Sequence, residues 1–201
     1  MNHKFFDLKR EKQDRIINAA LKIFAKNGYR HASTDDVVRE AQISKGLLFH
    51  YFISKVGLYV FLMDYSVRFM MMELGRVVKT DETDFFQIRK QIEQGKLQVL
   101  RNYPYMQAFL NRAFKEQCIE ALEETQLQKD AYEKKMESYK AQAAEMRLPI
   151  GVTAEQIDAM IEYVAKGIEE ELIEGNRFQP EMLMEQVLGY MDALKGLCER
   201  R

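Results

Sequence analysis

Tryptophan is absent, and only 2 cysteines, 3 prolines and 10 glycines occur among the 201 residues. So few turn-forming residues exclude an all-β sandwich, which needs a tight turn every few residues. Cys118 and Cys198 stand far apart with no Cys-x-x-Cys spacing, so neither a disulfide framework nor a cysteine metal site is expected. With only three histidines, His3, His31 and His50, no metal or other cofactor is expected. No run of 18 apolar residues exists to span a membrane. The opening MNHKFFDLKREKQD lacks the apolar stretch of a secretory signal, so a cytoplasmic location is expected. A Gly-rich phosphate loop, GxSxG and HExxH are all missing. The runs Glu123-Glu124 and Glu169-Glu170-Glu171 read as solvated helix faces. No enzyme is expected.

What the chain does have is 47% apolar and 30% charged residues, the balance of a globular protein. Its net charge of −1 hides an asymmetry. Residues 1–60 hold 11 Lys/Arg against 6 Asp/Glu, whereas residues 61–201 hold 19 against 25. Eleven of the 12 methionines follow residue 60. A basic module suits a polyanion, and an acidic body avoids one.

The helical period dominates throughout, and about nine helices with no strand are expected: an all-α fold. Ile16, Ile17, Ala20, Leu21 and Phe24 mark one face of a first helix, ended by Asn27-Gly28. Thr34 reads as the N-cap of a short second helix with Val37, Val38 and Ala41 on its apolar face. Ser44 caps a third, to about Phe52, and Ser54 a fourth, to about Val78. Further helices are expected over 85–101, 105–117 and 119–146. The capping box Thr153–Gln156 opens another, ended by Gly175, and Pro180 starts the last.

Two short helices joined tightly at Ala41-Gln42-Ile43 form the pattern of a helix-turn-helix. The second carries Lys45, Gly46, Leu47, Phe49, His50 and Tyr51, which suit a major groove, while Leu48 and Phe52 face inward. Residues 16–61 are similar to the N-terminal domain of the tetracycline-repressor (TetR) family. The resemblance lies in Ile16, Ala19-Ala20, Phe24 and Gly28-Tyr29, then Thr34, Ala41 to Gly46, and Tyr51 to Leu58. It implies a three-helix DNA-binding domain, residues 1–55, followed by a helical effector-binding and dimerisation domain, residues 56–201. It assigns Lys45, Gly46, Leu47 and His50 to base edges or groove lining, and Thr34, Tyr51 and Lys55 to phosphates. The residues alone leave Tyr51 open as a core aromatic, and the basic stretch Lys4 to Lys12 open as a DNA arm or a solvated helix start. Three positions depart from the family pattern: Phe49 stands for a usual Tyr, Leu47 for Thr or Ser, and Val56-Gly57 for an acidic pair. Gly57 there weakens a helix by up to about 1 kcal/mol relative to Ala.

In the body, Tyr65, Phe69, Met72, Met106, Phe109, Leu110 and Tyr139 are candidate pocket lining, or else plain core. Few inward positions look charged, so a small anion would find little to hold it. The stripes Ile157, Met160, Ile161, Val164 and Ile168, and Val187, Tyr190, Met191 and Leu194, either pair with their copies in a homodimer or pack within one chain. The expected partners are double-stranded DNA with a near-palindromic operator, a small apolar or amphipathic effector, and a second copy of the chain. The expected function is a ligand-responsive repressor. An activator or constitutive DNA binder, or a helical-bundle enzyme or scavenger, are the alternatives.

Overall fold

In the computed structural model, residues 3–144 and 148–199 are described. Among the described residues a short 3-10 turn, His3–Asp7, precedes nine helices: α1 Arg10–His31, α2 Thr34–Ala41, α3 Lys45–Phe52, α4 Lys55–Val77, α5 Phe85–Asn102, α6 Met106–Ala113, α7 Ile119–Gln142, α8 Ala154–Glu174 and α9 Pro180–Glu199. There is no strand among the described residues. The expected end of α7 at Met146 lies outside them.

Most boundaries follow local chemistry. Ser44 Oγ accepts from Leu47 N at 3.2 Å, and Ser54 Oγ from Gly57 N at 3.0 Å, satisfying orphan donors at the starts of α3 and α4. Thr153 and Gln156 make the full reciprocal box at α8, and Pro180 is the first residue of α9. Two expectations need correction. Ser33, not Thr34, caps α2: its Oγ accepts from Asp35 N at 3.1 Å, and Thr34 is the first helical residue. Gly28 does take a positive φ of 68°, but the chain resumes one helical turn to His31 before extending at Ala32. Gly175 is the C-cap of α8, as expected, at φ −72°, with left-handed Asn176 beyond it.

Two compact units result. The first comprises Met1–Phe69 and Tyr105–Glu133, the second Met70–Pro104 and Lys134–Arg201. In the first, α6 packs along α1 and the core is largely aromatic. Phe24, Tyr29, Tyr59 and Phe109 meet edge to face or stacked at centroid distances of 5.0–6.4 Å. Phe5 is fully buried against Tyr51, Phe52 and Phe61, so the 3-10 turn is pinned to the ends of α3 and α4. In the second unit α8 and α9 pack on each other and α9 on α5, around Phe85, Phe86, Leu100, Ile157, Ile161, Ile168, Leu172, Leu183, Val187 and Met191.

The second unit also buries charge. Arg89 Nη atoms reach Glu93 at 3.3 Å, Asp158 at 3.2 Å and Glu162 at 2.8 Å, while Lys96 meets Glu93 at 2.9 Å and Glu162 at 3.4 Å. Glu169, expected on a solvated face, is buried as well. The body therefore turns more charge inward than its apolar stripes imply.

Candidate nucleic-acid interface

The reading pair rests on the two ends of its link. Val37 and Ala41 are buried against the rest of the unit, and Gln42 turns the chain with left-handed φ 53°, ψ 49°. Ile43 N then donates to Val38 O at 3.0 Å, closing the end of α2. Arg15 on α1 donates to Ala41 O at 2.9 Å, and Lys22 pairs with Glu40 at 2.6 Å, so α1 holds the end of α2. Leu48 and Phe52 face inward as the spacing predicts.

The opposite face of α3 is open. Lys45, Gly46 and His50 are exposed, and Leu47 and Phe49 half-buried. A Cβ at Gly46 would meet nothing within 4 Å, so this face leaves room for close approach. Lys45 forms an exposed ion pair with Asp35 at 2.8 Å, joining the N-termini of α3 and α2. Thr34 is half-buried at the start of α2. Tyr51 turns largely into the core, its ring 5.7 Å from Phe5 and 5.0 Å from His50. Lys55 is half-buried; its Nζ sits 4.8 Å over the Tyr29 ring and donates to Arg30 O at 3.3 Å. These contacts fix the ammonium beside the end of α1.

The joint between α3 and α4 is tight and strained. Ser54 N donates to Phe52 O at 2.7 Å across Ile53, whose φ 66°, ψ −49° make this a γ-turn, rare for any residue and costly for a β-branched one. Ile53 is also 74% exposed. The turn aims the Phe52 carbonyl at Gly57, where a Cβ would lie 2.2 Å from that oxygen. The glycine that looks like a helix defect in the sequence is the residue that lets α4 start there.

The far end of α1 is anchored by the α6–α7 link. Tyr29 N donates to Glu116 Oε2 at 3.0 Å, and the Tyr29 hydroxyl donates to Glu120. Burial, then the Glu120 bond, push the Tyr29 phenol well above its ordinary value. Burial works to raise the Glu116 carboxyl, but backbone N–H donors of Cys118, Tyr29 and Gln117 outweigh it and hold it below the usual range. The sequence carried no sign of this joint, because its partners lie 87 and 91 residues apart.

Residues 16–60 match the sequence profile of the bacterial regulatory proteins of the tetR family. Within residues 16–60 the chain thus carries the helix-turn-helix segment that this family's model describes. Among curated proteins it is similar to YuxN of Bacillus subtilis (strain 168), an uncharacterized HTH-type transcriptional regulator, with 25% identity over 95% of this chain and 66% of YuxN. It is 48% identical over 44 residues to UidR of Escherichia coli (strain K12), an HTH-type transcriptional regulator, covering 22% of each. The chain thus spans slightly under two thirds of YuxN and a fifth of UidR. Its fold is similar to that of a TetR family transcriptional regulator from Chloroflexus aurantiacus J-10-FL, at TM-score 0.61 and 20% identity over 100% of this chain and 99% of that one. It is also similar to FadR from Bacillus subtilis in complex with stearoyl-CoA, at TM-score 0.58 and 14% identity over 88% and 96%. The chain combines an N-terminal segment that matches this family's model with a helical body similar in fold to solved TetR-family structures.

The body residues singled out by sequence are divided between the two units. Tyr65 and Phe69 stack on each other with centroids 6.0 Å apart, while Met106, Phe109 and Leu110 are buried in the same unit. Met72 is exposed and Tyr139 buried in the other. A cavity of about 630 Å³ lies in the second unit, lined by Phe85, Lys140, Leu148, Asp158, Glu162 and Tyr163 among others, and none of the seven lines it. Of the helix stripes, Ile157, Ile161, Ile168, Val187 and Met191 are buried within the chain. Val164 and Leu194 are half-buried, and Met160 and Tyr190 face outward together with Tyr163 and Leu197. No single helix is long and apolar enough to cross a membrane, and no group of His, Cys, Asp and Glu fit for a metal occurs among the described residues.

Proposed function

We propose that this regulator is a homodimeric repressor that a small apolar or amphipathic molecule releases from a near-palindromic operator. The observation that carries the DNA assignment is the open face of α3, with Lys45, Gly46 and His50 exposed in the basic part of the chain while α1 holds its partner helix. Two such modules, residues 1–55 of each copy, would enter successive major grooves. Lys55 and Thr34 would meet phosphates, and Leu47 and His50 base edges, with the Leu47 side chain suited to a thymine methyl. Tyr51, being mostly buried, supports α3 rather than reading through its ring.

Selection of bound DNA sequences tests this. Lys55→Ala is expected to weaken binding to all sequences about equally and to lower the salt slope by about one unit. Leu47→Ala and His50→Ala are expected to change the selected site. An identical site from the wild type and both α3 variants would refute the reading of α3.

For the dimer, the outward residues of α8 and α9 are the proper candidates. Met160, Tyr163, Tyr190 and Leu197 put large apolar side chains on the surface of one chain, where a second copy would cover them. Met160→Glu with Tyr190→Glu is expected to give folded monomers by sedimentation. Met191→Glu would instead place a charge in the core of the unit and unfold it. A doubly substituted protein that stays dimeric would move the interface elsewhere.

The effector would occupy the body, residues 56–201, and favour a dimer geometry that no longer fits DNA. The stearoyl-CoA complex of FadR supports an amphipathic ligand on this fold. Linkage requires the operator to weaken effector binding by the same factor, typically 5–150-fold.

A further inference from the structure

We propose that Lys129 anchors the anionic head of the effector, so that the molecule this chain answers to is an amphipathic carboxylate; this rests on the effector-responsive reading above. Ala121, Thr125 and Lys129 lie four residues apart on one face of α7, all three buried. The first two are at ease there. Alanine has no polar side-chain atom, and Thr125 Oγ1 donates to Ala121 O at 2.7 Å. Lys129 is not: it is 4% exposed, and its Nζ is closed off from solvent with no hydrogen-bond acceptor among the described residues.

A buried ammonium without a partner is among the most unfavourable groups a core can hold, and a methionine of similar length would fill the same space without that penalty. Burial lowers the lysine's pKa, with Glu116 and Glu133 opposing through space. A carboxylate delivered by a ligand supplies the missing acceptor as a charge-assisted bond in a low dielectric. Leu62, Met63, Val67, Met106, Phe109 and Leu110, apolar partners of the kind a hydrocarbon tail would take, are buried in the same unit as Lys129. Glu116, which attracts Lys129, is also the residue that takes the Tyr29 N–H at the end of α1. A second negative charge on Lys129 repels Glu116 and so acts on the joint that anchors the DNA-reading helices.

The test uses the full chain with its selected operator and two matched ligand series, hexanoate, decanoate and tetradecanoate against the corresponding alcohols. Binding is followed by calorimetry and operator release by fluorescence anisotropy of labelled DNA. The best carboxylate is expected to bind the wild type about tenfold or more tightly than its alcohol. Lys129→Met is expected to abolish that preference, Lys129→Arg to keep it, and Lys129→Met without ligand to unfold at a higher temperature than the wild type. Alcohols that release the operator as well as the acids do would overturn the anion assignment and leave the effector reading standing. No release by either series would overturn both. A less stable Lys129→Met would show that the ammonium already has a structural partner and would also overturn the proposal.

Discussion

Arg89→Ala is expected to cost about 3–5 kcal/mol of stability, the range for breaking a buried ion pair by removing one member. Arg89 is 2% exposed on α5 and is bonded or paired to three carboxylates at once, Glu93, Asp158 and Glu162. Without it, Lys96 is left with Glu93 and Glu162, and Lys140 meets Asp158 at 2.8 Å. Core truncation adds to the loss. The network also sets an acid limit. Lys96 first, and then Arg89, hold the Glu162 carboxyl far below its ordinary 4.5 against the opposing effect of burial. A carboxyl lowered on folding stabilises fully above its unfolded value, and that contribution drains away as pH falls below 4.5 toward the folded value. Wild-type stability is therefore expected to drop between pH 5 and 3, and Arg89→Ala to show a shallower drop over the same interval. Urea titrations followed by circular dichroism at both ends of that window measure this. A loss under about 1 kcal/mol, or an unchanged pH slope, would show that the cluster is not acting as a unit.

The second large effect is expected at Gly57. Helix propensity alone favours Gly57→Ala by about 1 kcal/mol. The geometry predicts the opposite sign, because the new methyl would lie 2.2 Å from the Phe52 carbonyl oxygen, which is backbone and has no rotamer to escape into. Relief requires opening the γ-turn at Ile53 and with it the Ser54 N–Phe52 O bond. A loss of about 3 kcal/mol is expected, the upper part of the range for overpacking. Because the same turn sets the 64° bend between α3 and α4, operator affinity should fall further than stability alone explains. Ile53→Gly is the matched control: it removes a strained β-branched residue and is expected to leave stability unchanged or raised. A Gly57→Ala protein as stable as the wild type would mean that the joint relaxes at no cost.

The helix count and most caps were legible because they depend on neighbours in sequence. Ser44, Ser54, Thr153 and Pro180 act within three residues of where they stand. The inner face of α3 was legible for the same reason, since Leu48 and Phe52 declare it. What escaped was whatever depends on distant chain. Thr34 and Ser33 are both capping residues, and only the backbone decides between them. Gly57 looked like a defect because the carbonyl that excludes a side chain comes from the preceding helix. Nothing in the sequence set Arg89 or Lys129 apart, since no spacing rule says which charged side chain of an amphipathic helix will be buried. Phe5 carried a usable signal: an aromatic pair in a polar N-terminal stretch is more easily explained by packing than by a solvated arm.

The anchoring of Tyr29 to Glu116 and Glu120 also sets a timetable for synthesis. The helix-turn-helix is encoded first, but α6 and the start of α7 belong to the same compact unit. The hydroxyl bond spans 91 residues of chain. At roughly 5–20 residues per second, that stretch takes on the order of 10 seconds to emerge. For that interval the nascent DNA-reading helices lack Phe109 beside Phe24 and Tyr59, and leave aromatic surface uncovered. The helix-turn-helix precedes this joint in sequence, yet a ribosome-bound chain cannot close the Tyr29–Glu120 bond until residue 120 has cleared the exit tunnel.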